Sequence, residues 1–491
     1  MTDIPRRSVL KAAGSAVGSA LLTTGSFSAL ARASDESTEE GSAPNTPGWS
    51  MRRGTPAQTG LSNAADVGPS VTTRFYTPKS YNPSEPTELA VGDGLVFTTE
   101  LLDDVTGRSR VVAYDQRSGD REWAYEPPSH GGDTPDGGLG RVFDSPVVAD
   151  GRVIVASDGA NNDGDWEYGG IFAFDTRTGE FEWLNQGVPH WRNPLLADGT
   201  VVAQNLENRN VCAFDAESGK QLWALKLDLT TTNLLAIHNE TVYVRLEGPA
   251  SSFVAGYSLA DGVEQWRHEL PDDVAADRRY GKTPDAAVDG QTIYYATQTE
   301  DENALVAQSI ADGSVQWNCS LTRSCGDPRD TLSEIVVADG SVYVFTTVDS
   351  SADAAISASL WSVDAATGTR EWVWSSPYPL YGSPTATDGQ VYLGTDAPLT
   401  EDASGRYYDV APISEYPTVV AVDTADGAVS WAYAEPPESG GDDELFAQTP
   451  AVTDHGIYVK ATGNDRDSST RVLSLAATDK EIGPNHRPKQ L

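Results

Sequence analysis

Only a few stretches of this chain have residue types at spacings that could support chemistry. One is Asp158–Glu167, DGANNDGDWE, where Asp158, Asp163 and Asp165 crowd carboxylates among amides. Hard oxygen donors of this kind suit Ca²⁺. Their spacing departs from the EF-hand template, so a solvated acidic loop is the other open reading. His190-Trp191-Arg192 and Tyr378-Pro379-Leu380-Tyr381 each lead into an apolar strand. Their aromatic and basic groups could stack on and clamp a planar anionic ligand, or pack as loop aromatics against their neighbours. The three cysteines divide. Cys212 lies inside an apolar strand and reads as a small buried residue. Cys319 and Cys325 bracket a short loop, and in an exported chain a disulfide between them and two free thiols are equally open. With no further ligands close by, a cysteine metal site is not expected. Six histidines and no discernible Ser/His/Asp arrangement leave no hydrolytic site to name.

The elements that must position these residues recur along the chain. Val111–Trp123 reads VVAYDQRSGDREW, and the pattern returns at Ile171–Trp183, Val211–Trp223 and Val419–Trp431. In each copy Ala stands ten residues before Trp, Asp eight before and Gly four before. Alternating apolar residues make a half-buried strand, Asp opens a turn, and Gly119, Gly179, Gly219 and Gly427 take a positive φ. The hairpin then carries Trp up the next strand. Looser copies end at Trp266, Trp317 and Trp372, where Ser258 and Ser309 replace Asp in the first two. A lone hairpin is not stable in water, so each indole must bury itself against the neighbouring copy. A further hairpin precedes each copy, with Asp-Gly between apolar runs at Val147–Ala156, Leu195–Ala203, Val336–Phe345 and Thr385–Leu393. Four antiparallel strands per repeat make a propeller blade.

The constellation AxDxxxGxxxW resembles the tryptophan-docking motif of the pyrroloquinoline-quinone (PQQ)-like β-propeller repeat family. The resemblance implies an all-β, eight-bladed β-propeller over residues 49–482, riveted by Trp123, Trp183, Trp223, Trp266, Trp317, Trp372 and Trp431. The segment Trp49–Gly60 resembles the lead-in that precedes the first blade of such proteins. The last repeat supplies a third strand at Arg471–Ala476 but no Gly-x-x-x-Trp. The lone strand Val71–Thr77, with Phe75 in the place of Trp, is expected to close it and remove an exposed edge. Quinoprotein alcohol dehydrogenases of this fold use a vicinal Cys-Cys pair, a Ca²⁺ ligand set and a catalytic Asp. This chain has no adjacent cysteines, no matching ligand or base motif and no CxxCH haem attachment. The resemblance therefore carries over architecture and no catalytic residue. PQQ and Ca²⁺ stay only as the cofactors of an alternative reading.

Composition bounds the function further. Arg6-Arg7 and the apolar run to Leu30 resemble a twin-arginine export signal, with a peptidase site near Ala31-Arg32-Ala33, so residues 1–33 are expected to be a signal peptide. An uncleaved N-terminal anchor is the alternative. Residues 34–48 are acidic and polar, as in a disordered linker, and 483–491 form a tail. The net charge is −38, and without residues 1–33 it is −41, with 30 basic against 71 acidic groups. Such a surface resembles that of halophile proteins and disfavours nucleic acid, since no basic stripe meets phosphates. No later stretch is apolar enough to span a membrane. The expectation is a monomeric, non-catalytic scaffold outside the cell or at its surface, holding a protein or a surface polymer. The alternative is a divergent PQQ-dependent alcohol or sugar oxidoreductase.

Overall fold

In the computed structural model, alternating apolar strands assemble into eight antiparallel sheets arranged around one axis. It describes residues 49–478 except 69–70, 79, 82–87, 104–106, 126–138, 163–164, 168, 187–188, 227–230, 248–250, 271–285, 299–302, 322–330, 348–357, 377–379, 396–398, 402–406, 410–416, 434–444 and 464–468. Arg6, Arg7, Asp163, Cys325 and Tyr378, the side chain of Asp165, the signal and linker segments and the tail lie outside the described residues. Blades 1 to 7 span residues 90–125, 147–186, 191–226, 231–269, 286–320, 331–376 and 380–433. Blade 3 shows the plan: Trp191–Ala197 is innermost, followed outward by Thr200–Asn205, Asn210–Asp215 and Gln221–Lys226. Blade 8 takes three strands from 445–477 and its outermost from Val71–Tyr76, paired from Val71↔Ala477 to Tyr76↔Leu473. The expected eight-bladed propeller, closed by the N-terminal strand, is therefore the observed fold.

Adjacent blades are joined through an aromatic ring on the outer strand. The indole of Trp123 lies against the turn of blade 2 and its Nε1–H donates to Thr176 O at 2.8 Å. Trp183, Trp223, Trp317 and Trp372 repeat the contact on Ala216, Leu259, Ala365 and Thr424 carbonyls, three residues before the turn glycine. Gly219 shows why the turn needs glycine: its φ is +67°, and a Cβ there would stand 2.4 Å from the Trp183 ring. Trp431 reaches Val67 O, at the approach to the closing strand. Phe75 packs against Gly119 but has no N–H to offer, and the free carbonyl of Gln116 accepts from Tyr458 Oη at 2.8 Å instead. A second aromatic backs most of these rings, as Tyr294 does Trp317 and Tyr343 does Trp372, with centroids 5.9 and 5.8 Å apart.

Blade 4 departs from the expected pattern. Here it is His268 and not Trp266 that lies on the turn of blade 5, with Nε2 3.0 Å from Ile310 O and its ring against Gly313. The cause is Gly256. Every other docking Trp lies opposite Ala or Ser on the third strand, whereas Trp266 lies opposite Gly256. With no Cβ to hold it off, the indole settles onto its own sheet, since a Cβ at Gly256 would be 2.4 Å from it. His268, two residues on and so on the same face of the strand, stacks on Trp266 at 4.8 Å and makes the joint.

The turn aspartates are held ionised. Ser118 N–H donates to Asp115, Thr178 N–H to Asp175, and the Ser218 hydroxyl and N–H to Asp215, each of which keeps the carboxyl below the usual range. Such a group takes up its proton less readily folded than unfolded. Its contribution is therefore complete above the ordinary Asp pKa near ~3.9 and is lost as pH falls through the lower folded value.

Two outcomes follow. Trp223→Ala should cost about 3–5 kcal/mol in urea unfolding, and His268→Ala less than half as much, because the smaller ring buries less surface. Equal losses would mean that the indole joints carry no special weight. In an acid titration of the thermal midpoint, the fall below about pH 4 should be shallower when Asp115, Asp175 and Asp215 are all replaced by Asn.

Candidate functional site

Short turns gather on one face of the ring, and the loops between second and third strands and between blades gather on the other. The long-loop face carries two extra hairpins, Ala160–Asn162 with Asp165–Glu167 and Leu399–Glu401 with Tyr407–Asp409. Variable loops on a rigid scaffold are where binding is usually built.

The axis beneath this face is filled by the lead-in. From Trp49 to Ser62 the chain makes one circuit past the innermost strands in blade order. Carbonyls of Trp49, Ser50, Pro56, Ala57, Thr59 and Gly60 accept from the amides of Val91, Val148, Ile237, Val288, Val337 and Ala386 at 2.7–3.0 Å. Arg52 reaches Asn193 Oδ1 on blade 3 at 2.9 Å, and the Ser62 hydroxyl donates to Val452 O on blade 8 at 2.8 Å. Every blade is therefore tied to the lead-in. Inner-strand amides that would otherwise face an open channel are satisfied by it.

Three residues before the amides of Val91, Val148, Val337 and Ala386, on the long-loop side, stand Glu88, Ser145, Glu334 and Ser383, and from them a belt of polar side chains is built. Glu88 accepts from Thr449 Oγ1 at 2.7 Å and Ser145 Oγ at 3.4 Å, while Thr449 Oγ1 itself accepts from Ser383 N at 2.9 Å. Ser383 Oγ donates to Glu334 at 2.7 Å, and Glu334 pairs with both Arg52 and Arg53. From Arg52 the belt runs through Asn193, whose N–H donates to Asp144 Oδ2 at 2.9 Å, and so returns to Ser145. Burial pushes the Asp144 carboxyl up, against the downward pull of Arg192 and Arg52. None of Arg52, Arg53, Glu88, Asp144 or Glu334 stood out in the sequence. The available signal was two adjacent arginines outside any strand in a chain poor in basic residues.

The structure brings two of the sequence candidates together. Arg192 grips the buried carboxylate of Asp158 with both guanidinium nitrogens, at 2.7 Å for the second, while its face lies 4.0 Å from the Phe143 ring centroid. His190 Nδ1 is 3.4 Å from the same carboxylate. His190 and Asn193 have φ of +69° and +49°, and register slips between Arg192 and Leu195, which aims this corner of blade 3 toward blade 2. Trp191 turns into the core, edge-on to Phe214 at 5.5 Å. Tyr381 is half exposed on blade 7, away from this cluster. Cys212 is buried and burial pushes its thiol up to about 11; Cys319 is buried on the outer strand of blade 5.

Among the described residues no three His, Cys, Asp or Glu side chains gather as metal ligands. Asp158 is engaged by Arg192 and His190 rather than presented to a cation. The same residues do not fit a planar anionic quinone. The axis is occupied by the chain itself, Arg52, Arg53 and Arg192 are held by carboxylates, and Glu88, Asp144 and Glu334 would repel its charge. Arg192→Met should cost about 3 kcal/mol by stranding the Asp158 carboxylate. The double variant with Asp158→Asn should recover part of that loss in urea unfolding, and strict additivity would mean that the pair is not coupled.

A sequence model of the family described as outer membrane protein assembly factor BamB matches residues 72–190, 107–279 and 173–433 in overlapping stretches. No curated protein matches the chain. Among solved structures, quinohemoprotein alcohol dehydrogenase ADHIIG from Pseudomonas putida HK5 is 15% identical with a TM-score of 0.58, over 90% of this chain and 82% of that one. A europium-containing methanol dehydrogenase is 11% identical with a TM-score of 0.54, over 88% and 98%. The computationally designed Ika8 protein is 12% identical with a TM-score of 0.52, over 82% and 100%. At such identities the likeness is one of fold. Family repeats over most of the length and the eight-bladed ring together place the chain: it belongs to the PQQ-like β-propeller family described by the assembly factor BamB.

Proposed function

We propose that this protein is exported through the twin-arginine route at Arg6-Arg7 and acts at the cell surface as a non-catalytic binding or assembly scaffold. The observation that supports this reading best is the occupied axis. The lead-in and the polar belt use the central charged groups for holding the blades, which leaves the variable loops of one face as the surface for a partner. The family's description as an assembly factor points the same way. The partner is a protein or a surface polymer, and neither PQQ nor Ca²⁺ is required. The net charge of −38 suits a salt-rich medium, in which counterions screen the repulsion among surface carboxylates.

The test is cross-linking at the surface of intact cells followed by isolation from high salt, beside titration of the purified protein with PQQ and Ca²⁺. A specific cross-linked partner, without saturable quinone binding, is the expected result. Stoichiometric quinone binding with dye-linked oxidation of alcohols or sugars would replace the scaffold by a divergent oxidoreductase. The thermal midpoint should also rise as KCl goes from dilute to molar, and a flat response would remove the salt-adapted reading.

A further inference from the structure

The lead-in is more than a filler of the axis, because it is bonded to itself as fully as to the blades. Gly54 N–H donates to Met51 O, and Arg53 O accepts from both Thr55 N–H and Gly60 N–H at 2.9 and 3.1 Å. Gln58 donates through its amide to Thr55 O, and through its side chain to Arg52 O and Thr55 O, each at 3.0 Å. The Trp49 ring lies against Gly54, where a Cβ would be 2.9 Å away. These cross-bonds turn residues 49–60 into a small rigid body whose outward carbonyls radiate to the blades. Peeling one end from the ring frees little chain entropy while the internal bonds last. The spokes therefore stand or fall as a set.

We propose that residues 49–62 form a hub that leaves and re-enters the axis as one body while the blades stay joined. Trp49 and Met51 pack among blade residues and are exposed on release, but each blade also keeps a joint of its own to the next, in the rings at Trp123, Trp183, Trp223, His268, Trp317, Trp372, Trp431 and Phe75, and on these the blades outlast it. Release withdraws Arg52 and Arg53 from Glu334 and uncovers an axis lined by Glu88, Asp144 and Glu334. The hub is thus a retractable plug between the loop face and the short-turn face. Its seating depends on Gly60, which has a φ of +67° and whose Cβ would stand 2.6 Å from Val336 Cγ2.

Peptide-resolved hydrogen exchange on the full chain tests this. In Gly60→Val the amides of Val91, Val148, Ile237, Val288, Val337 and Ala386 should all exchange at least ~10-fold faster and to the same degree. The turn amides of Gly179, Gly219 and Gly368 should keep their wild-type rates. Acceleration confined to Val337 and Ala386, next to the substitution, would overturn the single-body hub. So would equal acceleration throughout the protein, which would mean that the blades do not outlast it. Should Gly60→Val fail to fold, Arg52→Gln serves, with the same six amides moving together by a smaller factor. No change, or change at blade 3 alone, would sink the proposal.

Discussion

Stability in this ring rests on one contact repeated at seven of the eight joints: a flat side chain from one blade laid on the glycine turn of the next. The contact works because two requirements meet at one residue. The turn needs a positive φ, and the ring needs a backbone with no Cβ on it, and glycine alone satisfies both. The indole adds a hydrogen bond to the carbonyl exposed by the turn, so that apolar burial and polar satisfaction are obtained together. Where the ring changes, the polar requirement is met by other means. Phe75 leaves the carbonyl of Gln116 to Tyr458, and His268 supplies a ring nitrogen of its own.

The centre of the ring obeys a different constraint. Eight inner strands face the axis, and an open channel there would leave carboxylates exposed to one another's charge. The lead-in meets the amides with carbonyls and the carboxylates with Arg52 and Arg53, in a protein with 72 acidic residues against 34 basic ones. Placing scarce arginines there is intelligible, since repulsion between half-buried carboxylates is screened less than repulsion on the surface. The outer face can remain acidic because water and salt attend to it.

Much of the architecture was readable from spacing. Gly and Trp at a fixed offset, with Asp in five copies and Ser in two, identified the turn and the docking strand in seven places, and the missing fourth strand of the last repeat pointed to Val71–Thr77. The site was read less well. Asp158 and Arg192 were each singled out for separate ligands, a metal and a planar anion, and they turn out to hold one another across 34 positions of sequence. Trp266 shows the same limit in the fold. Its copy keeps the Gly and the Trp of the motif, but Gly256 stands in the place of Ala and Ser258 in that of Asp, and the effect of Gly256 on the indole is felt only once the strands pair.

By itself the sequence determined what is local and periodic: the hairpins, the aromatic rivets, the number of blades and the strand that closes them. These follow from backbone preferences and alternation within a few residues, which any copy of the repeat carries entire. Only the tertiary structure decided the contents of the axis. Glu88, Asp144, Asn193, Glu334, Ser383 and Thr449 come from six different blades or the segments leading into them, and meet because ring closure brings these positions to one level. Arg52 and Arg53 reach them from a segment that belongs to no blade. Contacts made by closing a circle depend on every sector at once, and no window along the chain contains them.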